Sequence, residues 1–245
     1  MPTSLFVTGA SSGIGAALLE AVPDGYGEPH TFSRRPSPGR WTGADLGDPG
    51  QWPAVTAAVE AALDAERPEH AVLLHVSGTT DPVGRAVDQD PAAYASVVVL
   101  NAAAGPVLGQ AFLRACRARG VRATLVLVSS PAAHKDSPGL AQYCAGKGGL
   151  EHWGRIVALE VDGSGDRVVT VVPYAVLTDI VRDVMTRDPD EVPLVGYFRA
   201  VEAAGEFATP QECAAHVWDA VASASNGDVV PVGALVIARR SAVTA

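Results

Sequence analysis

Short apolar runs recur along the chain, and most are followed by an Ala-rich stretch whose apolar positions return at helical spacing. The first run, SLFVTG at 4–9, leads into a predicted helix over 14–22. Strands follow at 30–35 (HTFSRR) and 41–46 (WTGADL). A helix from Pro49 to about Glu66 has Asp48 as its expected N-cap, with Pro49 at the first position, where the missing N–H costs nothing. AVLLHVSG at 71–78 predicts a fourth strand, 91–119 a long helical region and TLVLVSS at 124–130 a fifth strand. A helix over 140–160, a sixth strand RVVTVVP at 167–173, a helix near 210–223 and a last strand around 229–237 complete the pattern.

Strands that stay apolar along their length, rather than alternating, are buried on both faces, as in a parallel sheet. Strand–helix alternation with right-handed crossovers then predicts a single domain, a doubly wound parallel sheet of about seven strands with helices on both faces. The stretch 177–207 is the least regular: charged, amphipathic and broken by proline. Following a strand's carboxyl end, it reads as a substrate-covering segment over the ligand crevice; an extra pair of surface helices is the plainer alternative.

Composition narrows the possible partners. With 245 residues, 48% of them apolar, the chain suits one large domain with a substantial core. A net charge of −9 disfavours nucleic acid and anionic membrane, because phosphate binding needs a basic surface. No apolar run is expected to approach the roughly 20 residues that span a bilayer. The opening MPTSLFVTGASSGIG lacks the charged region of a signal peptide. Cys116, Cys144 and Cys213 lack metal-ligand spacing and read as reduced thiols of a cytoplasmic protein. Lys135 and Lys147 are the two lysines of the chain.

The glycines carry the first chemistry. VTGASSGIG stands at the first strand-to-helix turn: Gly9 permits the tight turn, Gly13 lets backbone approach a diphosphate, and Gly15 allows close helix–strand packing. Gly9, Ser11, Ser12, Gly13, Ile14 and Gly15 are therefore expected to hold a dinucleotide in a Rossmann-like sheet. An NAD-specific site places an acid at the end of the second strand, whereas this chain reads Ser33-Arg34-Arg35. A carboxylate would repel a 2′-phosphate and a guanidinium pairs with it, so the expected cofactor is NADPH/NADP+. Solvated loop arginines are the bland reading.

Tyr143 stands one helical turn before Lys147, and thirteen residues after Ser130. Together with Thr8-Gly9-x-x-x-Gly13-Ile14-Gly15, Asp45-Leu46, Asn101, Pro173 and Thr178, this spacing resembles the short-chain dehydrogenase/reductase family over essentially the whole chain. YCAGKGGLEHW and VLTDIVRDVMTRDPDE look most like sepiapterin reductases and the related bacterial benzil reductases.

The resemblance implies a catalytic set of Asn101, Ser130, Tyr143 and Lys147. In it Tyr143 is the proton donor; the Lys147 ammonium, together with the positive charge of oxidised nicotinamide, lowers the tyrosine pKa, and Lys147 binds the nicotinamide ribose. Ser130 binds the substrate carbonyl oxygen, and Asn101 holds a relaying water. It also implies cofactor contacts at Asp45 and Leu46, Ser77 and Gly78, Pro173 and Thr178, and pairing into a homodimer or homotetramer through 101–119 and 140–160. Singly, Ser130 reads as well as a strand-end hydroxyl, Asn101 as a helix kink or cap, and Asp45 as the cap of the turn before Pro49.

Two departures stand out. Where the family reads Asn-Asn-Ala-Gly, this chain has His75-Val76-Ser77-Gly78, with His75 a replacement hydrogen-bonder more often structural than catalytic. The family's Pro-Gly is Pro173-Tyr174, which brings bulk towards the substrate or packs outward. Asp179 aligns with an acid that anchors a nitrogen-bearing ring, or else caps the helix after Thr178. The leading expectation is an NADPH-dependent carbonyl reductase acting on a small ketone or vicinal dicarbonyl. Its alternatives are a secondary-alcohol dehydrogenase and a non-catalytic NADP-binding regulatory protein.

Overall fold

In the computed structural model, which describes residues 2–233, seven parallel strands form one sheet: β1 (Ser4–Thr8), β2 (His30–Ser33), β3 (Arg40–Gly43), β4 (His70–His75), β5 (Arg122–Val128), β6 (Arg167–Val172) and β7 (Val229–Pro231). Their order is β3-β2-β1-β4-β5-β6-β7. The chain leaves β1 for β2 on one side and returns to β4 on the other, so the order reverses beside β1. The carboxyl ends of β1 and β4 therefore flank the crevice where such sheets take ligands. The two strands pair with Thr8 opposite His75.

Alternate residues of the strands feed two cores. On one face Leu5, Val7, Val72, Leu74, Val126 and Val169 pack on α1 (Gly13–Glu20) and α8 (Pro210–Ser223), where Leu18 and Val217 are fully buried. On the other, Phe6, Phe32, Leu73 and Leu125 meet α2 (Trp52–Glu66), α4 (Gly105–Ala118) and α5 (Ala141–Glu160) through Leu63, Phe112 and Leu150. Fully burying one such side chain contributes roughly 1.5–3 kcal/mol, so the central strands are the rigid base on which the loops sit.

Several boundaries differ from expectation, and the differences position the site. β4 ends at His75 and β5 at Val128, leaving Ser77, Gly78, Ser129 and Ser130 in loops beyond the strands. Asp48 does cap Pro49, accepting a hydrogen bond from the Gly50 N–H at 2.9 Å, but what it opens is a 3-10 turn, Pro49–Gln51, from which α2 continues. The region 91–119 begins as α3 (Pro91–Val98) and passes through a π segment, Val99–Ala104, into α4.

The stretch Pro91–Ala118 is also long and apolar enough to pass for a membrane span, against the expectation that no segment would be. Here it packs against α2, α5, β4 and β5. The segment 177–207 is ordered into α6 (Asp179–Met185) and α7 (Leu194–Ala203). The expected last strand reaches Pro231, and its predicted part from 234 lies outside the described residues.

Candidate active site

One cavity of roughly 490 Å³ runs along the carboxyl edge of the sheet, from the loop after β2 to the segment after β6. Its floor is the glycine loop. Gly9 has φ +69°, and a Cβ there would lie 2.8 Å from the Ser77 nitrogen. A side chain at Gly15 would strike the Gly9 carbonyl. The loop is thus pressed bare against the β4 loop, while Gly13 faces the Thr178 methyl across the crevice. The first turn of α1 carries no acid, and Ser12 at its N-cap makes no side-chain cap. Its N–H groups and positive dipole end suit an anion, so the cradle fits a dinucleotide diphosphate.

At the β2 end, the Ser33 hydroxyl donates to the Arg35 carbonyl at 2.7 Å and shapes the turn. Arg34 and Arg35 are exposed, and neither pairs with a carboxylate among the described residues. Arg40, close by, is held by Glu28 at 2.9 Å and Glu66 at 2.8 Å. Asp45 lines the cavity and also accepts from the Gly47 N–H at 2.9 Å, so it shapes its own turn.

Tyr143 and Lys147 share one face of α5. The Lys147 Nζ donates to the Val128 carbonyl at 2.8 Å and lies 5.7 Å from the Tyr143 ring centroid. Burial lowers the lysine pKa to about 8, and the charge of Glu151 opposes the shift.

Tyr143 departs from the sequence-based expectation. Its pKa is raised, burial being the largest cause, with the Ser130 side chain pulling the other way. The ammonium sits over the ring and is turned towards Val128, and burial outweighs it. Ser130 lies just past the end of β5, lines the cavity and caps the 3-10 turn Pro131–Ala133, accepting from the Ala132 N–H at 3.2 Å.

Asn101 lies one layer behind the cavity, in the π segment. Its amide donates to the Thr79 carbonyl at 2.7 Å, and its oxygen accepts from the Thr79 N–H at 3.1 Å. That clamp holds the loop carrying Gly78, where a Cβ would lie 3.1 Å from the Asn101 oxygen and 3.2 Å from the Lys147 Nζ. Gly146 lets α5 approach the Asn101 backbone closely. The π register turns the asparagine into this contact, a role π segments often serve.

His75, the departure from the family pattern, is buried and bonded through Nδ1 to the Thr8 hydroxyl at 3.1 Å. That hydroxyl accepts from the Val76 N–H at 3.1 Å and the Ser77 N–H at 3.3 Å, which occupies both lone pairs, so its own proton points at Nδ1 and the imidazole carries its hydrogen on Nε2. Burial, then Lys147, lowers the His75 pKa to about 3. Below the ordinary value of 6.5 the unfolded chain takes up a proton that the folded chain refuses, so stability falls as the pH drops from about 6.5 towards 3. His70, lowered to about 4 by burial, adds in the same sense. Urea unfolding at stepped pH is expected to show this slope. His75→Asn, which keeps a partner for Thr8, is expected to reduce it by about 1.4 kcal/mol per pH unit, one proton's worth.

The segment 177–207 forms the cavity's outer wall. Val181 and Val184 of α6 and Leu194, Tyr197 and Phe198 of α7 line it. The segment is anchored through a small core of Val83, Leu140, Val184, Val192 and Val195, against which Tyr143 packs. Thr178 is the α6 N-cap, accepting from the Val181 N–H at 3.5 Å, so Asp179 is not that cap: it is the first helical residue, exposed at the cavity rim. Tyr174 faces inward as part of the lining, and Ala175, at φ +46°, reverses the chain between β6 and the wall.

The cavity thus gathers Gly9, Ser11, Ser12, Gly13, Ile14, Gly15, Ser33, Arg34, Arg35, Asp45, Leu46, Ser77, Gly78, Ser130, Tyr143, Lys147, Pro173, Tyr174, Thr178 and Asp179. Tyr197 and Phe198 lie in the segment expected to cover the substrate but were not singled out by the sequence, and Leu140 was not either. Sequence reasoning also missed Ser129, His134 and Glu151 beside Lys147.

Comparison with known proteins agrees with this geometry. A family model described as Enoyl-(Acyl carrier protein) reductase matches residues 34–228. The 2,3-dihydro-2,3-dihydroxybenzoate dehydrogenase of Escherichia coli (strain K12) is 30% identical over 224 residues, 86% of each chain. A short chain dehydrogenase family protein from Francisella tularensis superposes with a TM-score of 0.74 at 21% identity, covering 95% of this chain and 97% of the other. A putative NAD(P)-dependent gluconate 5-dehydrogenase from Beutenbergia cavernae, with bound NADP, gives 0.77 at 22% identity, covering 95% and 96%.

Proposed function

Because the chain belongs to the short-chain dehydrogenase/reductase family of oxidoreductases, we propose that it is an NADPH-dependent carbonyl reductase acting on a small ketone or vicinal dicarbonyl. The observation that carries this reading is the convergence of Ser130, Tyr143 and Lys147 on a cavity whose far end is lined by Arg34 and Arg35. Gly9 to Gly15 would hold the diphosphate, Arg34 and Arg35 the 2′-phosphate, Asp45 and Leu46 the adenine, and Lys147 the nicotinamide ribose. When bound, the dinucleotide supplies the hydride.

The chain's own residues manage the oxygen. Ser130 donates a hydrogen bond to the substrate carbonyl, and Tyr143 gives its phenolic proton to that oxygen as it gains charge. A tyrosine held above its ordinary pKa is fully protonated near neutrality, the state an acid must start from. The Lys147 ammonium then stabilises the phenolate left behind. The wall of α6 and α7 excludes water from this transfer.

A panel of ketones and diones, followed by NADPH consumption, tests the reading. Turnover is expected, with a rate that falls as the pH rises through about 8, where Lys147 loses the charge on which the phenolate depends. Preference for NADH, or alcohol oxidation without any ketone reduction, would sink it. The name of the Escherichia coli relative favours a second reading, oxidation of a secondary alcohol by the same residues; assays in both directions separate the two.

The proposed setting is cytoplasmic, supported by three free cysteines. The proposed assembly is a homodimer or homotetramer, supported by apolar side chains left exposed on α3 to α5: Val98, Val107, Ile156 and Leu159.

A further inference from the structure

Behind Lys147 the fold buries a second charged side chain that the proposed chemistry does not use. Glu151 follows Lys147 by one turn of α5, on the same face, and is only 1% exposed. The Ser129 hydroxyl donates to its Oε1 at 2.5 Å, and His134 Nε2 lies 2.6 Å from its Oε2. The His134 side chain, 56% exposed, closes this small network off from solvent. Each carboxylate oxygen thus has one hydrogen-bond partner.

We propose that Glu151 is a positioning residue that sets the charge of Lys147, holding a fixed negative group behind the ammonium while Ser129 and His134 hold Glu151 in place. The inference rests on the reading of Lys147 as the charged partner of Tyr143.

Three observations carry it. A neutral side chain would brace Ser129 as well as a carboxylate does, but only a charge acts on Lys147. Lys147 is itself buried, which works against its ammonium, and Glu151 acts in the opposite sense. Among the described residues, the other groups around the lysine supply no counter-charge. They are Tyr143 on α5, the Val128 carbonyl and Ser129 after β5, neutral His75 on β4, and the Asn101 amide of the π segment. Glu151 is therefore the buried charge that favours the ammonium, and a midpoint lower by about one pH unit would leave the lysine about half neutral at pH 7 and mostly neutral at pH 8.

The chain's two lysines make the test direct. Protein labelled with 13C at lysine Cε gives two side-chain signals, which Lys135→Arg assigns. Glu151→Gln is expected to lower the Lys147 midpoint by about one pH unit, a tenfold change in proton affinity, and to leave Lys135 unmoved. Glu151→Asp, which keeps the charge, is expected to restore most of the shift. Should the glutamine variant not fold, Glu151→Leu is titrated in its place.

The alkaline limb of kcat/KM for ketone reduction should move with the lysine. An unmoved Lys147 midpoint in the neutral variant overturns the proposal and leaves Glu151 a brace for Ser129. A moved midpoint in a protein that reduces no carbonyl would keep the charge coupling and refute the reductase reading.

Discussion

Tyr143→Phe is expected to lower kcat for NADPH-dependent ketone reduction by about three orders of magnitude while leaving cofactor affinity and fold intact. Proton transfer by a positioned side chain accounts for roughly 10²–10⁴ in rate, and neither neighbour of Tyr143, Ser130 or Lys147, is suited to replace it. Ser130 is a far weaker acid, and Lys147 is turned to the Val128 carbonyl at 2.8 Å. The phenyl ring keeps the packing of Tyr143 on the small core of Leu140, Val192 and Val195, so thermal unfolding should coincide with that of the parent. Steady-state rates, NADPH fluorescence titration and melting curves on the same preparation check the three parts. Full turnover in the phenylalanine variant would remove Tyr143 from the mechanism and with it the proposed role of Lys147.

How much of this was legible in the sequence depends on which interactions are local. The parallel sheet was, because its strands are apolar on both faces and the glycine loop marks the first turn. Tyr143 and Lys147 were legible because spacing along one helix is a property of the chain. What failed depended on non-local burial. The sequence pairs a phenol with an ammonium and oxidised nicotinamide and so predicts a lowered tyrosine pKa; for the protein alone, burial of the phenol is the largest cause and the shift is upward. Glu151 has no signal in the sequence, because what marks it is its enclosure between Ser129 and His134, residues brought to it by the turn after Ser130. The contacts of Asn101 have no local signature either, since the Thr79 clamp and the close approach of Gly146 join parts of the chain distant in sequence. Asp179 and Thr178 were equally good caps by residue type, and the β-region backbone of Thr178 decided between them.

Arg34 and Arg35 offer the second large effect. Replacing both by alanine is expected to raise the KM for NADPH by about two orders of magnitude and to change that for NADH by less than threefold. A hydrogen bond to a charged group contributes about 1.5–3 kcal/mol, and two such contacts to a 2′-phosphate give a factor of this size after screening in an open loop. Among the described residues neither guanidinium is tied to a carboxylate, unlike Arg40, which bridges Glu28 and Glu66, so their removal breaks no ion pair there. The turn itself is kept by the Ser33 hydroxyl on the Arg35 carbonyl, a bond to backbone that alanine preserves. Arg34→Asp goes further, placing beside the adenosine ribose the acid that NAD-specific sites carry there, and should invert the preference. Kinetics with both cofactors measure each step. If NADPH and NADH weaken equally, the arginines are solvated loop charges and the phosphate assignment falls. If only NADPH weakens, the loop after β2 sets cofactor choice while Ser130, Tyr143 and Lys147, at the other end of the same cavity, carry the chemistry unchanged.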